Sequence, residues 1–371
     1  MVLDAHSQVF EEPKGLPPHR KYDHTIPLMP GASPVNLRPY RYSPMQKNEI
    51  EKQVKELLAQ GVIQASSSPF ASPVLLVGKK DLTWRLCVDY RHLNALTVKN
   101  KYPLPVIDEL LDELARAQWF TSLDLRAGYH QIRMAAGEEY KTAFQTHHGH
   151  FEYKVMPYGV TGGPATFQGV MNDILAPLLW KYVLVFVDDI LIYSKTLADH
   201  AKHLETVLGI LMQHELKVKK SKCTFAKQEI LYLGHVISAA GVSTDPSKIA
   251  PILKWKPPTN LKELRQFLGM TGYYRKFIQF YGIISKVPTE LLKKGVPYVW
   301  NAEREAAFQA LKQALVTAPV LVLPDFSKTF VLETDACSNG VGAVLLQNNH
   351  PVAFISKALG PRHRGLSTYE K

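Results

Sequence analysis

Twelve residues near the middle of the chain constrain it most: Tyr182-Val183-Leu184-Val185-Phe186-Val187-Asp188-Asp189-Ile190-Leu191-Ile192-Tyr193. Two neighbouring carboxylates sit between two apolar, β-branched runs. Runs of this length and type read as buried strands, so the pattern predicts a tight hairpin with acids at its tip. An isolated carboxylate is costly to bury, and two neighbours repel. A hard divalent cation such as Mg²⁺ relieves both penalties. A plain surface turn is the alternative, because Asp is common in turns.

The 371 residues suffice for two or three domains, and a hydrophobic content of 46% with 21% charge is that of a folded, soluble protein. Lys and Arg number 44 against 33 Asp and Glu, a net charge of +11. That balance points to a polyanionic partner, nucleic acid first and an anionic membrane surface second. Cys87, Cys223 and Cys337 are far apart and form no C-x-x-C. This argues against a disulfide framework and a zinc ribbon and suits a reducing compartment. No apolar run approaches the roughly 20 residues of a membrane span, and Met1-Val2-Leu3-Asp4 shows no secretory signal.

Residues 1–42 are rich in proline and polar groups and are expected to form an extended arm or linker on the surface. Ser43 as N-cap and Pro44 in the first turn then open a helix, with Ile50, Val54, Leu57 and Leu58 inward and Gly61 as its stop. Two strands, 74–77 and 84–90, flank the tip Gly78-Lys79-Lys80-Asp81-Leu82-Thr83. With Arg85 beside it, this basic tip suits a triphosphate, or is an ordinary solvated hairpin. A short acidic helix (107–114), a strand ending near Asp124, a hairpin turning at Gly149, and a Gly-rich loop (156–164) before a helix from about Ala165 follow. On an amphipathic helix over 199–213, His200 and His203 are read as a solvated face, since no third metal ligand accompanies them. A lysine cluster (Lys217, Lys219, Lys220, Lys222, Lys227) leads into a strand over 230–237 broken by Gly234.

From 246 to 294 the composition is helical and basic. Asn260 and Glu263 have capping-box spacing, and a buried stripe is predicted from Leu261 to Ile278, with Lys262, Arg265, Arg275 and Lys276 outward. Gly269 and Gly272 each weaken a helix by about 1 kcal/mol relative to Ala, so either a ligand or a packed helix comes close there. A last helix (302–316, apolar at Ala306, Phe308, Leu311 and Leu315) precedes three strands at 330–335, 340–346 and 351–356.

In this order, Lys79-Lys80, Trp84-Arg85, Ser122-Leu123-Asp124-Leu125, Met156-Pro157-Tyr158-Gly159, Phe186-Val187-Asp188-Asp189 and Tyr232-Leu233-Gly234-His235 resemble the pol polyprotein of Ty3/gypsy-type long-terminal-repeat retrotransposons. The likeness runs from about residue 16 to the last. It implies an α+β right-hand polymerase with fingers, palm and thumb, a ferredoxin-like palm sheet, and then a partial ribonuclease H-like α/β domain. The expected divisions are an arm (1–42), fingers and palm (43–240), a thumb (241–295) and the start of the ribonuclease H-like domain (296–371).

By that resemblance Asp124, Asp188 and Asp189 are the catalytic, metal-binding acids, with the Leu125 carbonyl beside them. They should meet within one metal-site radius, although Asp124 and Asp188 lie 64 residues apart. Two Mg²⁺ ions, for which Mn²⁺ can substitute, would clamp the attacking primer hydroxyl and the leaving pyrophosphate. Lys79, Arg85, Ala127, Gly128, Tyr129, Tyr158 and Gly159 would hold the incoming deoxynucleoside triphosphate, with Tyr129 barring a ribose 2′-hydroxyl. Leu233, Gly234 and His235 would grip the primer end. Lys262, Arg265, Gln266, Gly269 and Tyr273 would meet the primer–template duplex. Asp335 and Glu370 resemble ribonuclease H carboxylates whose companions fall beyond Lys371, so no ribonuclease H activity is expected.

The partners implied are an RNA or DNA template with primer, dNTPs and other pol products as oligomer partners, with no membrane. The setting implied is a cytoplasmic virus-like particle with a nuclear stage. Three features depart from the family pattern: Leu82 for Gly, Cys337 for Ser, and Gly162-Gly163 for Asn-Ala. A catalytically silent relic that still binds primer–template, and a structural subunit resting on a partner polymerase, are the competing readings.

Overall fold

The computed structural model describes residues 2–78, 83–337 and 339–360. Lys79, Leu82 and Glu370 therefore lie outside the described residues. The chain divides into two compact units, Met1–Val106 with Phe120–Ala226, and Ile107–Trp119 with Lys227–Lys371.

The first unit is built on two sheets. A four-stranded sheet has the order Val183–Phe186, Asp189–Ser194, Trp119–Asp124, Thr224–Lys227. A five-stranded sheet has the order Ile63–Ala65, His150–Tyr153, Phe144–Gln145, Ser72–Gly78, Trp84–Val88. The hairpin strands Val183–Phe186 and Asp189–Ser194 read as apolar runs because helices cover them. Leu184, Ile190, Leu191 and Ile192 are almost wholly buried, under Gly163–Ile174 and Leu197–Gln213. The hairpin Ser72–Gly78/Trp84–Val88 pairs antiparallel, with Val77 opposite Arg85.

The helix Pro44–Ala59 starts as its sequence dictates. Ser43 Oγ accepts the Gln46 N–H while the Gln46 side chain accepts the Ser43 N–H, a full capping box. Ile50 and Val54 are buried, whereas Leu58 is exposed. Gly61 ends the run at φ +72°, a conformation glycine adopts without a Cβ penalty.

The first 42 residues correct the expectation of a surface arm. Val9, His24, Ile26 and Val35 are all buried. Single bridges tie His24 to Met134, Leu28 to Thr97 and Asn36 to Ala71. Prolines keep the segment extended, yet the apolar residues between them fill gaps in the core. Composition cannot show that.

His200 and His203 are the second correction. His200 is buried, with Nε2 2.7 Å from Thr121 Oγ1 and Nδ1 2.9 Å from Ser194 Oγ. His203 stacks on the Tyr182 ring at 3.8 Å. Two hydroxyls satisfy His200, so the helix turns it inward as a polar core residue.

In the second unit, Glu229–Tyr232, His235–Ser238 and Gly241–Thr244 form an antiparallel meander. The expected broken strand is thus a hairpin, because Leu233 (φ +46°) and Gly234 (φ +73°) both turn left-handed. The helix Leu261–Tyr273 ends earlier than the apolar stripe suggests. The chain breaks at Tyr274 and continues as the short turn Arg275–Phe277, while Phe277 and Ile278 remain buried. In the helix Ala302–Val316, Ala307 is buried and Ala306 is exposed. Val331–Ala336, Gly340–Gln347 and His350–Ala358 form a second meander. The acidic helix Ile107–Asp112 belongs to this unit, where Asp108 pairs with Lys276 at 2.6 Å. No helix among the described residues is long and apolar enough to cross a membrane.

Candidate active site

The hairpin around Asp188 forms as the sequence requires, with Phe186 opposite Asp189 across the turn. Val187 takes φ +51° at the tip. A β-branched residue is strained there, so something must hold it. Gln168, buried in the helix Gly163–Ile174, accepts the Val187 N–H at 2.8 Å and donates to the Val185 carbonyl at 3.2 Å. That amide pins the tip. The sequence signal was a lone polar residue in the apolar run Phe167-Gln168-Gly169-Val170-Met171, and motif reading passed over it.

The three acids share one electrostatic field. Burial pushes the Asp188 carboxyl up to about 6, helped by the negative charges of Asp189 and Asp124 and opposed by Lys222. Asp189 is raised by burial first and then by Asp124. Asp188 Oδ1 is buried and has no hydrogen-bond partner among the described residues. Lys222 Nζ lies 3.1 Å from Asp124 Oδ2 and supplies the local positive charge. The acids are drawn together but not closed. Their ligand atoms do not all fall within 4.8 Å of one another, a spacing that only Glu51, His147 and His148 meet among the described residues. An orphaned carboxylate oxygen beside two more acids is nonetheless a donor set that fits hard divalent cations.

The strand that carries Asp124 is held on its far side. The Lys219 N–H donates to the Asp124 carbonyl and the Arg126 N–H to the Lys217 carbonyl, both at 2.9 Å, on either side of Leu125. Gln131, another residue the motifs did not flag, donates to the Arg126 and Lys217 carbonyls and accepts the Lys217 N–H. Ala127 then turns left-handed at φ +46°. Gly128 is closely packed: a Cβ there would lie 3.1 Å from the Phe167 ring and 3.4 Å from Asp188 Oδ1.

Tyr129 is buried and stacks face to face on Tyr158, with ring centroids 4.9 Å apart and planes within 8°. Phe167 supports it at 5.5 Å. Burial raises the Tyr129 phenol and pushes that of Tyr158 up to about 12, with the Asp188 charge adding to both. Both hydroxyls therefore stay protonated beside the acids. Gly163 admits the Tyr129 ring, since a Cβ would lie 3.0 Å from Cε2. Gly159, at φ +96°, is clamped by Asn94, which donates to its carbonyl at 2.8 Å and accepts the Thr161 N–H at 2.9 Å. Arg85 is exposed, and its charge reaches Tyr158.

The residues expected to grip primer and duplex lie in the second unit. Tyr273 donates to the Leu233 carbonyl at 2.6 Å and Tyr274 to the Gly234 carbonyl at 2.7 Å. His235 is buried among Tyr273, Tyr274 and Phe277, at centroid distances of 5.3–5.6 Å. Burial, then the Lys276 charge, lowers it to about 4, so it is neutral. Lys262, Arg265, Gln266 and Gly269 are all exposed on their helix. A Cβ on Gly269 would meet open space, whereas one on Gly272 would press on Tyr281 Oη at 3.2 Å. The two glycines thus separate: Gly272 serves packing and Gly269 does not. Asp335 is exposed on Val331–Ala336.

This is the architecture of a nucleotide polymerase with a second, ribonuclease H-like part. Residues 77–237 match the model for reverse transcriptase (RNA-dependent DNA polymerase), and residues 300–371 match that for the RNase H-like domain found in reverse transcriptase. The chain thus carries reverse transcriptase and RNase H-like domains, and its homologues are Pol polyproteins of Ty3/gypsy-type transposons. It is 44% identical over 345 residues to the retrovirus-related Pol polyprotein from transposon 297 of Drosophila melanogaster, covering 91% of this chain and 33% of that one. Against the transposon Tf2-3 polyprotein of Schizosaccharomyces pombe it is 39% identical over 340 residues, 90% of this chain and 26% of the relative. The chain thus spans about a third or less of the length of these relatives. A solved foamy viral protease-reverse transcriptase in complex with double-stranded DNA has the same fold, with a TM-score of 0.90 at 24% identity, over 100% of this chain and 66% of the other. The same foamy viral protein in complex with an RNA/DNA hybrid gives 0.84 at 24% identity, over 100% and 50%.

Proposed function

We propose that the chain extends a primer on an RNA or DNA template with dNTPs, by phosphoryl transfer assisted by two Mg²⁺ ions. The observation that carries this is the meeting of Asp124, Asp188 and Asp189 in one field, with Asp188 Oδ1 left without a partner among the described residues. In this reading the three carboxylates and the Leu125 carbonyl hold the ions, which would neutralise charge on the triphosphate. The chain's own residues do the positioning. Gln168 fixes the acid hairpin, Gly128 and Ala127 let the backbone approach the ligand, and Tyr129 fills the space a 2′-hydroxyl would need. Lys79, Arg85, Tyr158 and Gly159 complete the triphosphate pocket. Leu233, Gly234 and His235 hold the primer end, while Lys262, Arg265, Gln266 and Gly269 meet the duplex. Tyr273 supports the primer-end turn through its bond to Leu233 as well as lining the duplex.

The fingers and palm fall within 43–240, the thumb within 241–295, and the ribonuclease H-like part, with Asp335 and Glu370 as its acids, within 296–371. In this reading the chain works in a cytoplasmic virus-like particle with a nuclear stage, alongside other pol products. The test is primer extension on poly(rA)·oligo(dT) with Mg²⁺ and then Mn²⁺, comparing wild type with Asp188→Asn. Extension abolished in the variant, with duplex binding kept, is the expected result. Binding without extension in the wild type would leave the silent relic as the function.

A further inference from the structure

A second group of metal-ligating side chains stands apart from the acid hairpin, within the first unit. Glu51 on the helix Pro44–Ala59 and His147 and His148 in the turn before His150–Tyr153 bring three ligand atoms within 4.8 Å of one another. Motif reading does not find it, because the histidines are adjacent and the third ligand lies 96 residues before His147.

The imidazoles are held in place. His147 Nε2 lies 2.9 Å from Glu51 Oε1, and its ring rests edge-on against Tyr42, with centroids 6.4 Å apart. His148 leans on Phe151 at 5.7 Å, and its Nδ1 lies 3.0 Å from the Thr146 hydroxyl. That hydroxyl also reaches the Gly149 carbonyl at 3.2 Å. When its proton goes there, it accepts from His148 Nδ1, and Nε2 presents a lone pair. A hydrogen bond on the far nitrogen is how metal-binding histidines are oriented.

We propose that Glu51, His147 and His148 bind one Zn²⁺ ion, with water in the fourth position. Two imidazoles and a carboxylate are the donor set of a borderline cation such as zinc, not of magnesium. Zinc bonds of about 2.0–2.2 Å place tetrahedral ligands roughly 3.4 Å apart, so the atoms must close from their present spacing. The Glu51 side chain is 39% exposed and that of His147 20%, which leaves room for rotation without moving the backbone. Zinc takes the place of the proton shared by His147 and Glu51. Lys55 opposes it, since its charge acts on both Glu51 and His148. The ion links the long helix to the hairpin turn, independently of the polymerase chemistry.

The test is calorimetric titration of EDTA-stripped, full-length protein with Zn²⁺ in excess Mg²⁺, which keeps the acid hairpin occupied. One Zn²⁺ per chain is expected, with a rise in Tm. Glu51→Gln and His148→Ala should each weaken binding by at least about tenfold, while Asp188→Asn leaves it intact. Lys55→Gln keeps all three ligands and should tighten binding severalfold, so the test stands even if a ligand variant does not fold. Wild-type affinity in both ligand variants, no tightening in Lys55→Gln, or loss of zinc in Asp188→Asn would overturn the assignment.

Discussion

Replacing Asp188 with Asn should stabilise the metal-free protein, increasingly so as the pH rises. The Asp188 carboxyl is moved from an ordinary 3.8 to about 6, by burial first and then by Asp189 and Asp124. An acid raised in the folded state carries no penalty below its unfolded value, near 3.8. The penalty grows as the pH climbs and is complete above about 6. The gap is roughly two pH units, at most about 3 kcal/mol at 1.4 kcal/mol per unit. Asp188 is partly exposed and screened by solvent, so the working expectation is about 1 kcal/mol. For a unit of this size that is roughly 2–4 °C in Tm. Melting of wild type and variant in EDTA, at about pH 4.5 and about pH 7.5, reads it directly. The variant should melt higher at the upper pH, and only about a third of that gap should remain at the lower, which already lies somewhat above the unfolded value. Saturating Mg²⁺ should then reverse the order at the upper pH, because ligand binding stabilises only the chain that can bind it. An equal Tm difference at both pH values would refute the reasoning, since a packing effect does not titrate.

Gln168→Leu removes both bonds that hold the hairpin tip and strands the Val187 N–H. A loss of about 1–3 kcal/mol in stability and a lower kcat for primer extension are expected, measured by urea melts and steady-state kinetics. Tyr129→Ala should raise ribonucleotide incorporation while Tyr129→Phe does not, as read on a sequencing gel; equal discrimination in wild type and the Ala variant would remove Tyr129 from that role. Replacing Lys262 and Arg265 together with Ala should make the log–log salt dependence of duplex binding shallower by roughly one to two units, and an unchanged slope would mean that this face does not touch the duplex.

The acid hairpin was legible because its constraint is local: apolar runs on both sides leave few ways to place two carboxylates. The helix from Ser43 was legible for the same reason, since its capping box lies within four residues. What was not legible depends on partners distant in sequence. His200 looks like a solvated residue until Thr121, 79 positions earlier, is brought beneath it. The stripe from Leu261 to Ile278 keeps its burial but not its helix, because short-range periodicity does not show the break at Tyr274. Gln168 was overlooked because its purpose is the strained φ of Val187, which no propensity reveals.

The entry of the first 42 residues into the core has a consequence for how the chain is made. Val9 accepts the Val218 N–H at 2.8 Å, and Arg20 donates to the His214 carbonyl across a separation of 194 residues. During synthesis the leading segment emerges first but cannot dock until residues near 218 have left the ribosome. At about 5–20 residues per second, some 200 residues take on the order of 10–40 s. For that interval Val9 remains in solvent with no native surface to cover it, whereas Val35 meets its partner Ala71 much earlier. Such non-local closure is slow and leaves apolar surface open to aggregation, so completion of this polymerase unit waits on its last strand rather than its first helix.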